Sequence, residues 1–212
     1  MKPIIAIDGP AAAGKGTLAR RLAATLGLPY LDTGLLYRAV GRRVLDAGGD
    51  PNDKVTAETA ARSLQPADLE RSDLRGPQAD AAAAAVASIP GVRNALLAFQ
   101  RDFAQREGAV LDGRDIGTVI FPDAAAKLFV TASLTQRAHR RWLELRAKGA
   151  DADIVTVEED MRQRDAKDAA RAAAPLRAAA DAFQLDTSEM DADAAYQAAL
   201  VFVQDRIRTL RG

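Results

Sequence analysis

Gly9-Pro10-Ala11-Ala12-Ala13-Gly14-Lys15-Gly16-Thr17 sets two glycines and a lysine at the spacing of a loop that cradles phosphate. Glycines there let the backbone wrap an anion, so that successive N–H groups and a helix N-terminus aim at it. Lys15 adds a full positive charge where β- and γ-phosphates would lie. Gly16 stands where many such loops carry Ser or Thr. Metal ligation therefore shifts to the Thr17 hydroxyl or goes through water. The bland alternative is a tight turn between a strand and a helix, and the flanks weigh against it. Pro3-Ile4-Ile5-Ala6-Ile7, ending at Asp8, reads as a buried parallel strand. Leu18, Leu22 and Leu26 then recur at helical spacing before Gly27 and Pro29 end the helix. The pattern predicts a nucleoside triphosphate site.

Further charged residues fall at the ends of predicted strands or along predicted helices. Ala109-Val110-Leu111-Asp112 is an apolar run ending in a carboxylate, as expected of the strand beside the phosphate loop whose aspartate helps hold Mg²⁺. Gly113-Arg114-Asp115-Ile116-Gly117 follows, and packing alone gives little reason for an arginine and an aspartate between those glycines. Its bland alternative is a polar turn. Thr33, Tyr37 and Arg38 follow the short run Leu28-Pro29-Tyr30-Leu31-Asp32, where open α/β sheets bind ligands, although Thr33 also reads as a simple N-cap. Arg93 sits in the first turn of a helix, where a cation opposes the helix dipole and an anionic or polar ligand would offset the cost. Arg137 and Arg141, four apart, share a face and are placed to meet one triphosphate. Arg164, Asp168 and Arg171, spaced four and three apart, share a face of a later helix that reads either as exposed and ion-paired or as a lid. His139 is the only histidine, and a local role suits it better than catalysis.

Composition narrows the classes. The 212 residues suffice for one domain with an insertion. The 29 basic and 29 acidic residues balance, which removes any overall pull toward nucleic acid polymers or anionic membranes. No cysteine is present, so disulfides and thiolate metal sites are excluded. The apolar run before Asp8 is too short for a signal peptide and no run approaches a membrane span, so a soluble, cytoplasmic protein is expected.

The remaining segments supply the scaffold. Asp46 to Asp73 reads as short helices and turns in an inserted lobe, and the alanine-rich stretch Ala79 to Ala87 reads as helix. A helix is predicted over 92–107 with Ala95, Phe99 and Phe103 on its buried stripe. Ala126 to Thr131 is the next strand, followed by a helix whose apolar stripe is Leu134, Ala138, Trp142 and Leu145. After the polar loop 148–153, Thr156 with Glu159 reads as a capping box. Phe183 to Asp186 forms a fifth strand, and Tyr196, Leu200, Val203, Ile207 and Leu210 define a closing helix. Five strands alternating with helices make an α/β fold, a P-loop NTPase-type five-stranded parallel sheet flanked by helices, with right-handed crossovers.

Many arginines and almost no histidine say something about the acceptor. A hydroxyl acceptor usually needs a base, whereas a phosphate monoester is largely dianionic at neutral pH. Transfer between phosphates then reduces to positioning, charge neutralisation and exclusion of water. At this point the chain resembles a family. Gly9-Pro10 through Thr17, Leu31-Asp32-Thr33-Gly34 with Tyr37-Arg38, Asp112 to Thr118, and Arg164-Asp165 with Asp168, Arg171 and Ala174-Pro175-Leu176 are similar to bacterial cytidylate kinases, in order and spacing.

The resemblance implies transfer of the ATP γ-phosphoryl group to CMP or dCMP with Mg²⁺. It implies a core over 1–32, 109–147 and 170–212, a nucleoside-monophosphate (NMP) binding lobe over 33–108, and a short lid over 148–169. Carried over by motif, Gly9 to Thr17 bind ATP, while Thr17 and Asp112 organise the metal, through water. Arg38 and Arg114 hold the monophosphate, and Arg93 and Asp115 contact cytosine. Thr33, Arg164 and Asp168 surround the sugar, with Tyr37 at the substrate mouth and Arg171 also at the acceptor. Lys15, Arg137, Arg141, Arg164 and Arg171 surround the transferring group. A monomer is expected from the same resemblance. One departure is visible: Ala84 stands where some members carry a serine facing the base. Either a hydrogen bond to cytosine is lost there, or Ser88, one turn later, supplies it. The rival readings are another small P-loop kinase, acting on AMP, UMP or a small metabolite such as shikimate, and a nucleotide-binding module without transfer chemistry. An Asn-Lys-x-Asp guanine motif, expected of a switch GTPase, is absent.

Overall fold

The computed structural model describes residues 2–105, 107–170 and 174–210. Arg171 therefore lies outside the described residues. The chain divides into two compact units, Met1–Leu31 with Glu107–Gly212, and Asp32–Arg106.

The first unit carries the sheet. Its strands are β1 (Ile4–Asp8), β2 (Tyr30–Asp32), β3 (Ala109–Gly113), β4 (Ala126–Thr131) and β5 (Phe183–Asp186), in spatial order β2-β3-β1-β4-β5. β1 is central, parallel to β3 on one side and to β4 on the other, and β5 runs parallel to β4. Ile5 and Ile7 are fully buried, as are Val110 and Leu111 of β3, which is why these runs read as continuous apolar segments. Each such side chain contributes about 1.5–3 kcal/mol of burial. Helices α1 (Lys15–Leu26) and α8 (Ala192–Thr209) bury Leu18, Leu22, Ala195, Ala199 and Val203 in this core. The connection from β1 runs past β3 to β2, and the connection from β3 runs the opposite way past β1 to β4, so the crevice beyond the C-terminal ends of β1 and β3 is the expected place for a ligand.

Helices α6 (Leu134–Ala147) and α7 (Ile154–Ala169) pack through Ala138, Val157 and Met161, with Leu134, Trp142 and Leu145 against them. The Trp142 indole N–H donates to Ala152 O at 2.9 Å, tying α6 to the loop before α7. The start of α7 differs from the expected capping box. Asp153, not Thr156, is the cap, and its carboxylate accepts both the Thr156 N–H and hydroxyl at 2.9 Å. Glu159 instead receives Arg162 and Gln163. In α8, Leu210 lies past the last helical residue and is exposed, so it is not part of the buried stripe.

The second unit is helical: α2 (Thr33–Asp46), α3 (Lys54–Arg62), a 3₁₀ turn (Pro66–Glu70), α4 (Pro77–Ala87) and α5 (Pro90–Gln105). Thr33 is the first residue of α2 and Asp32 holds the cap position, which corrects the N-cap reading of Thr33. The alanine run is a packing surface. Ala79, Ala82, Ala83, Val86 and Ala87 are buried, and Gly41 of α2 faces Ala82, so small side chains bring the two helices close. On α5 the buried stripe is Val92, Leu96, Gln100 and Ala104, one position beyond the predicted one, with Ala95, Phe99 and Phe103 half-buried beside it. Gln100 disguises the stripe because its amide is satisfied inside the helix, donating to Leu96 O at 2.9 Å. Among the described residues, no single helix is long and apolar enough to cross a membrane.

Candidate active site

The phosphate loop runs from Gly9 to Gly14, between the end of β1 and the start of α1. Gly9 has φ +148°, and a Cβ there would stand 1.9 Å from Val130 O, so only glycine fits. Ala12 is held at φ 57° and Gly14 at 88°, a left-handed excursion that turns the backbone around a concavity. Lys15 is buried, and its Nζ donates to Pro10 O at 2.6 Å across the loop. Burial holds its ammonium far below the ordinary lysine range, at about 7, and Arg114 and Arg164 push the same way. Asp112 and Asp8 oppose them without prevailing. Burial, more than the two arginines, is what keeps this lysine from holding its charge.

Asp112, at the end of β3, is buried and accepts the Tyr30 hydroxyl at 3.2 Å. A Cβ at Gly16 would sit 3.3 Å from Asp112 Oδ2, so a Ser or Thr side chain would press on that carboxylate. Thr17 is exposed on the first turn of α1. Among the described residues, no three His, Cys, Asp or Glu side chains gather as a metal cage. One buried carboxylate and one hydroxyl beside a phosphate loop fit Mg²⁺, which keeps several waters and takes substrate phosphates as ligands.

Arg114 leaves the end of β3 and donates through Nε to Asp168 of α7 at 3.0 Å and through Nη1 to Gly113 O at 3.2 Å. Asp168 and Asp115 are both buried. Arg137 is 5% exposed, and four of its N–H groups are engaged. They reach Ala132 O at 2.9 Å, Ala11 O of the phosphate loop at 3.4 Å, and both Asp165 oxygens at 3.2 and 2.6 Å. Arg141, one turn on, pairs with Glu144 at 2.9 Å. Arg164 is half-buried on α7 within electrostatic reach of Lys15. The exposed His139 stacks on Trp142 at 5.8 Å, a local role.

In the second unit, Thr33 is buried at the start of α2. The Arg38 guanidinium pairs with Asp80 at 2.8 Å, and Arg93 lies over the Tyr37 ring at 5.8 Å. Ala84 is exposed on α4, and the Ser88 hydroxyl is spent on Ala85 O at 2.7 Å.

Sequence reasoning missed several residues that shape this region. Asp8 read only as the end of a strand, Tyr30 as part of one, and Asp165 as a motif residue beside Arg164 with no role of its own. Thr187 gave no local signal, yet it is buried after β5 and bonds Ala13 O at 3.3 Å and Thr131 O at 3.1 Å. Arg140 clamps it, donating to Thr187 O at 2.6 Å and to its hydroxyl at 3.0 Å. These two residues, with Thr17, Leu18, Val130 and Met190, line a cavity of about 320 Å³ beside the phosphate loop.

The cytidylate kinase family model matches residues 5–204, nearly the whole chain. The chain belongs to the cytidylate kinase family. It is thereby a nucleotide-dependent phosphotransferase of the (d)CMP kinase class. It is 63% identical over 199 residues to the cytidylate kinase of Granulibacter bethesdensis, covering 94% of this chain and 95% of that one. Identity to the cytidylate kinase of Acidiphilium cryptum is 65% over 196 residues, 92% of each chain. Among solved structures, a gluconokinase from Sinorhizobium meliloti 1021 is similar with a TM-score of 0.54 at 14% identity. That match covers 99% of this chain and 96% of the other, and it bears on the fold alone.

Proposed function

We propose that the chain transfers the γ-phosphoryl group of Mg·ATP to CMP or dCMP, as a cytoplasmic monomer, with the residue roles that follow. The observation that carries the reading is the buried Lys15 crowded by Arg114 and Arg164. A polyanion between them would restore the lysine's charge and relieve their repulsion. The donor triphosphate lies along Gly9 to Thr17, with its nucleoside in the cavity walled by Val130, Arg140 and Thr187. Lys15 moves from Pro10 O to the β- and γ-phosphates. What Mg²⁺ supplies when bound, held by Thr17 and Asp112 through water, is neutralisation of charge across those phosphates.

The acceptor phosphate is already ionised at neutral pH, so no side chain has to remove a proton. Arg114 holds the monophosphate and Asp115 the cytosine, while Asp168 and Arg164 act at the sugar. The family resemblance gives Arg38 to the monophosphate, Arg93 to the cytosine, Thr33 to the sugar and Tyr37 to the substrate mouth. Arg137, Arg141, Arg164 and Arg171 surround the transferring group, and residues 148–169 act as a lid that excludes water as a competing acceptor.

The test is ADP release from Mg·ATP with CMP, dCMP, UMP, AMP and shikimate in turn. Turnover with CMP and dCMP well above the others is expected. Preference for another acceptor would overturn the base contacts at Arg93 and Asp115, and no transfer to any would favour a binding module.

A further inference from the structure

Asp8, the last residue of β1, is a buried carboxylate for which the reaction above has no task. It is 4% exposed. Both its oxygens accept backbone N–H groups from far along the chain, Oδ1 from Ile116 at 2.8 Å and Oδ2 from Gly117 at 2.7 Å. These amides follow directly on Arg114 and Asp115, and the residue after Asp8 is Gly9, which opens the phosphate loop. One side chain thus joins the start of the donor loop to the turn that carries two acceptor residues.

Strand pairing does not need this carboxylate. The β1–β3 ladder already sets Asp8 opposite Gly113, and it ends there. What the carboxylate adds is the course of the backbone past the ladder, over 115–117. Gly117 fits the arrangement closely, since a Cβ there would lie 3.4 Å from Asp8 Oδ2 and 3.2 Å from Lys127 Cδ. Burial raises the Asp8 carboxyl to about 6, outweighing both N–H bonds and the attraction of Lys15, with Asp115 adding to the rise. An ionised group so placed costs the fold stability, and an apolar side chain would serve packing better.

We propose that Asp8 is a positioning residue for the acceptor, holding the 115–117 backbone so that Arg114 and Asp115 present their side chains to the nucleoside monophosphate. The inference rests on the reading of Arg114 and Asp115 as acceptor-binding residues. Steady-state kinetics of Asp8→Asn, Gly117→Ala and Arg114→Ala test it, with CMP, UMP and ATP varied. Asparagine keeps the size and one acceptor oxygen but sets an NH₂ group against an N–H. For Asp8→Asn the KM for CMP should rise about tenfold, equivalent to about 1.4 kcal/mol. The preference for CMP over UMP should fall, while the KM for ATP stays within about twofold. A purely structural role would move both KM values together, and that outcome, or an unchanged KM for CMP, overturns the proposal. Should Asp8→Asn fail to fold, Gly117→Ala carries the test, since it keeps the charge and sets a methyl group against the same oxygen, at 3.4 Å, and against Lys127 Cδ, at 3.2 Å. It should show the same split, about threefold, and equal KM values to the wild type would overturn the idea. Arg114→Ala separates the two possible failures. An unchanged KM for CMP there overturns the acceptor reading itself, whereas a raised KM there with no effect at Asp8 and Gly117 overturns only the part assigned to Asp8.

Discussion

Replacing Asp8 with asparagine also reads out what burying that carboxylate costs. Its ordinary value of 3.8 is raised to about 6 in the folded chain, chiefly by burial. That step corresponds to about 3 kcal/mol between the protonated and ionised limits. Between those two values the folded protein keeps a proton that the unfolded chain has released. Stability therefore falls as pH rises, and the contribution is fully present below 3.8 and lost as pH passes about 6. Asparagine does not titrate, so the difference in unfolding free energy between wild type and Asp8→Asn isolates the effect. From about pH 4.5 to about pH 6.5 that difference should decline by roughly 2 kcal/mol, at the expense of the wild type. The window stops below the value of about 7 for Lys15, whose own titration would otherwise enter. Urea unfolding at a series of pH values, analysed by linear extrapolation, measures it. A difference that stays flat, or that grows in favour of the wild type as pH rises, would refute the argument that burial dominates at Asp8.

Lys15→Met should lower kcat by about two to three orders of magnitude with the fold retained, because the lysine is asked to stabilise charge on the transferring group. Near-normal turnover would remove it from the site. Asp168→Ala takes away the buried partner of Arg114 and should shift the CMP/dCMP ratio of kcat/KM, and an unaltered ratio would take the carboxylate out of the sugar's surroundings. Ala84→Ser should raise the preference for CMP over UMP by about two- to tenfold, the worth of one hydrogen bond. The same ratio in both proteins would show that the missing serine does not matter to base recognition.

Much of the scaffold was legible because it is written in neighbouring residues. Glycine spacing before Lys15, the leucines of α1, the apolar runs of β1, β3 and β4, and the stripe Leu134, Ala138, Trp142 and Leu145 each depend on a window of a few turns. Errors arose where a local signal had two readings. The stripe of α5 was shifted because Gln100 is polar by type yet satisfied within its own helix. The α7 cap was misplaced because Asp153 and Thr156 are both good cap residues, and only the geometry shows which accepts.

By itself, the sequence determined the phosphate loop, the family and the alternation of strands and helices, since these rest on short-range spacing and backbone preference. Tertiary structure decided the rest: the strand order with β1 at its centre, and the partners chosen across long separations. Asp8 meets Gly117 across 109 residues, Arg114 meets Asp168 across 54, and Arg137 meets Asp165 across 28. No local pattern encodes such pairs, because they follow from which buried charge the packed sheet and helices leave within reach of which donor. The lowered value of Lys15 and the raised value of Asp8 have the same origin, for burial is a property of the assembled fold.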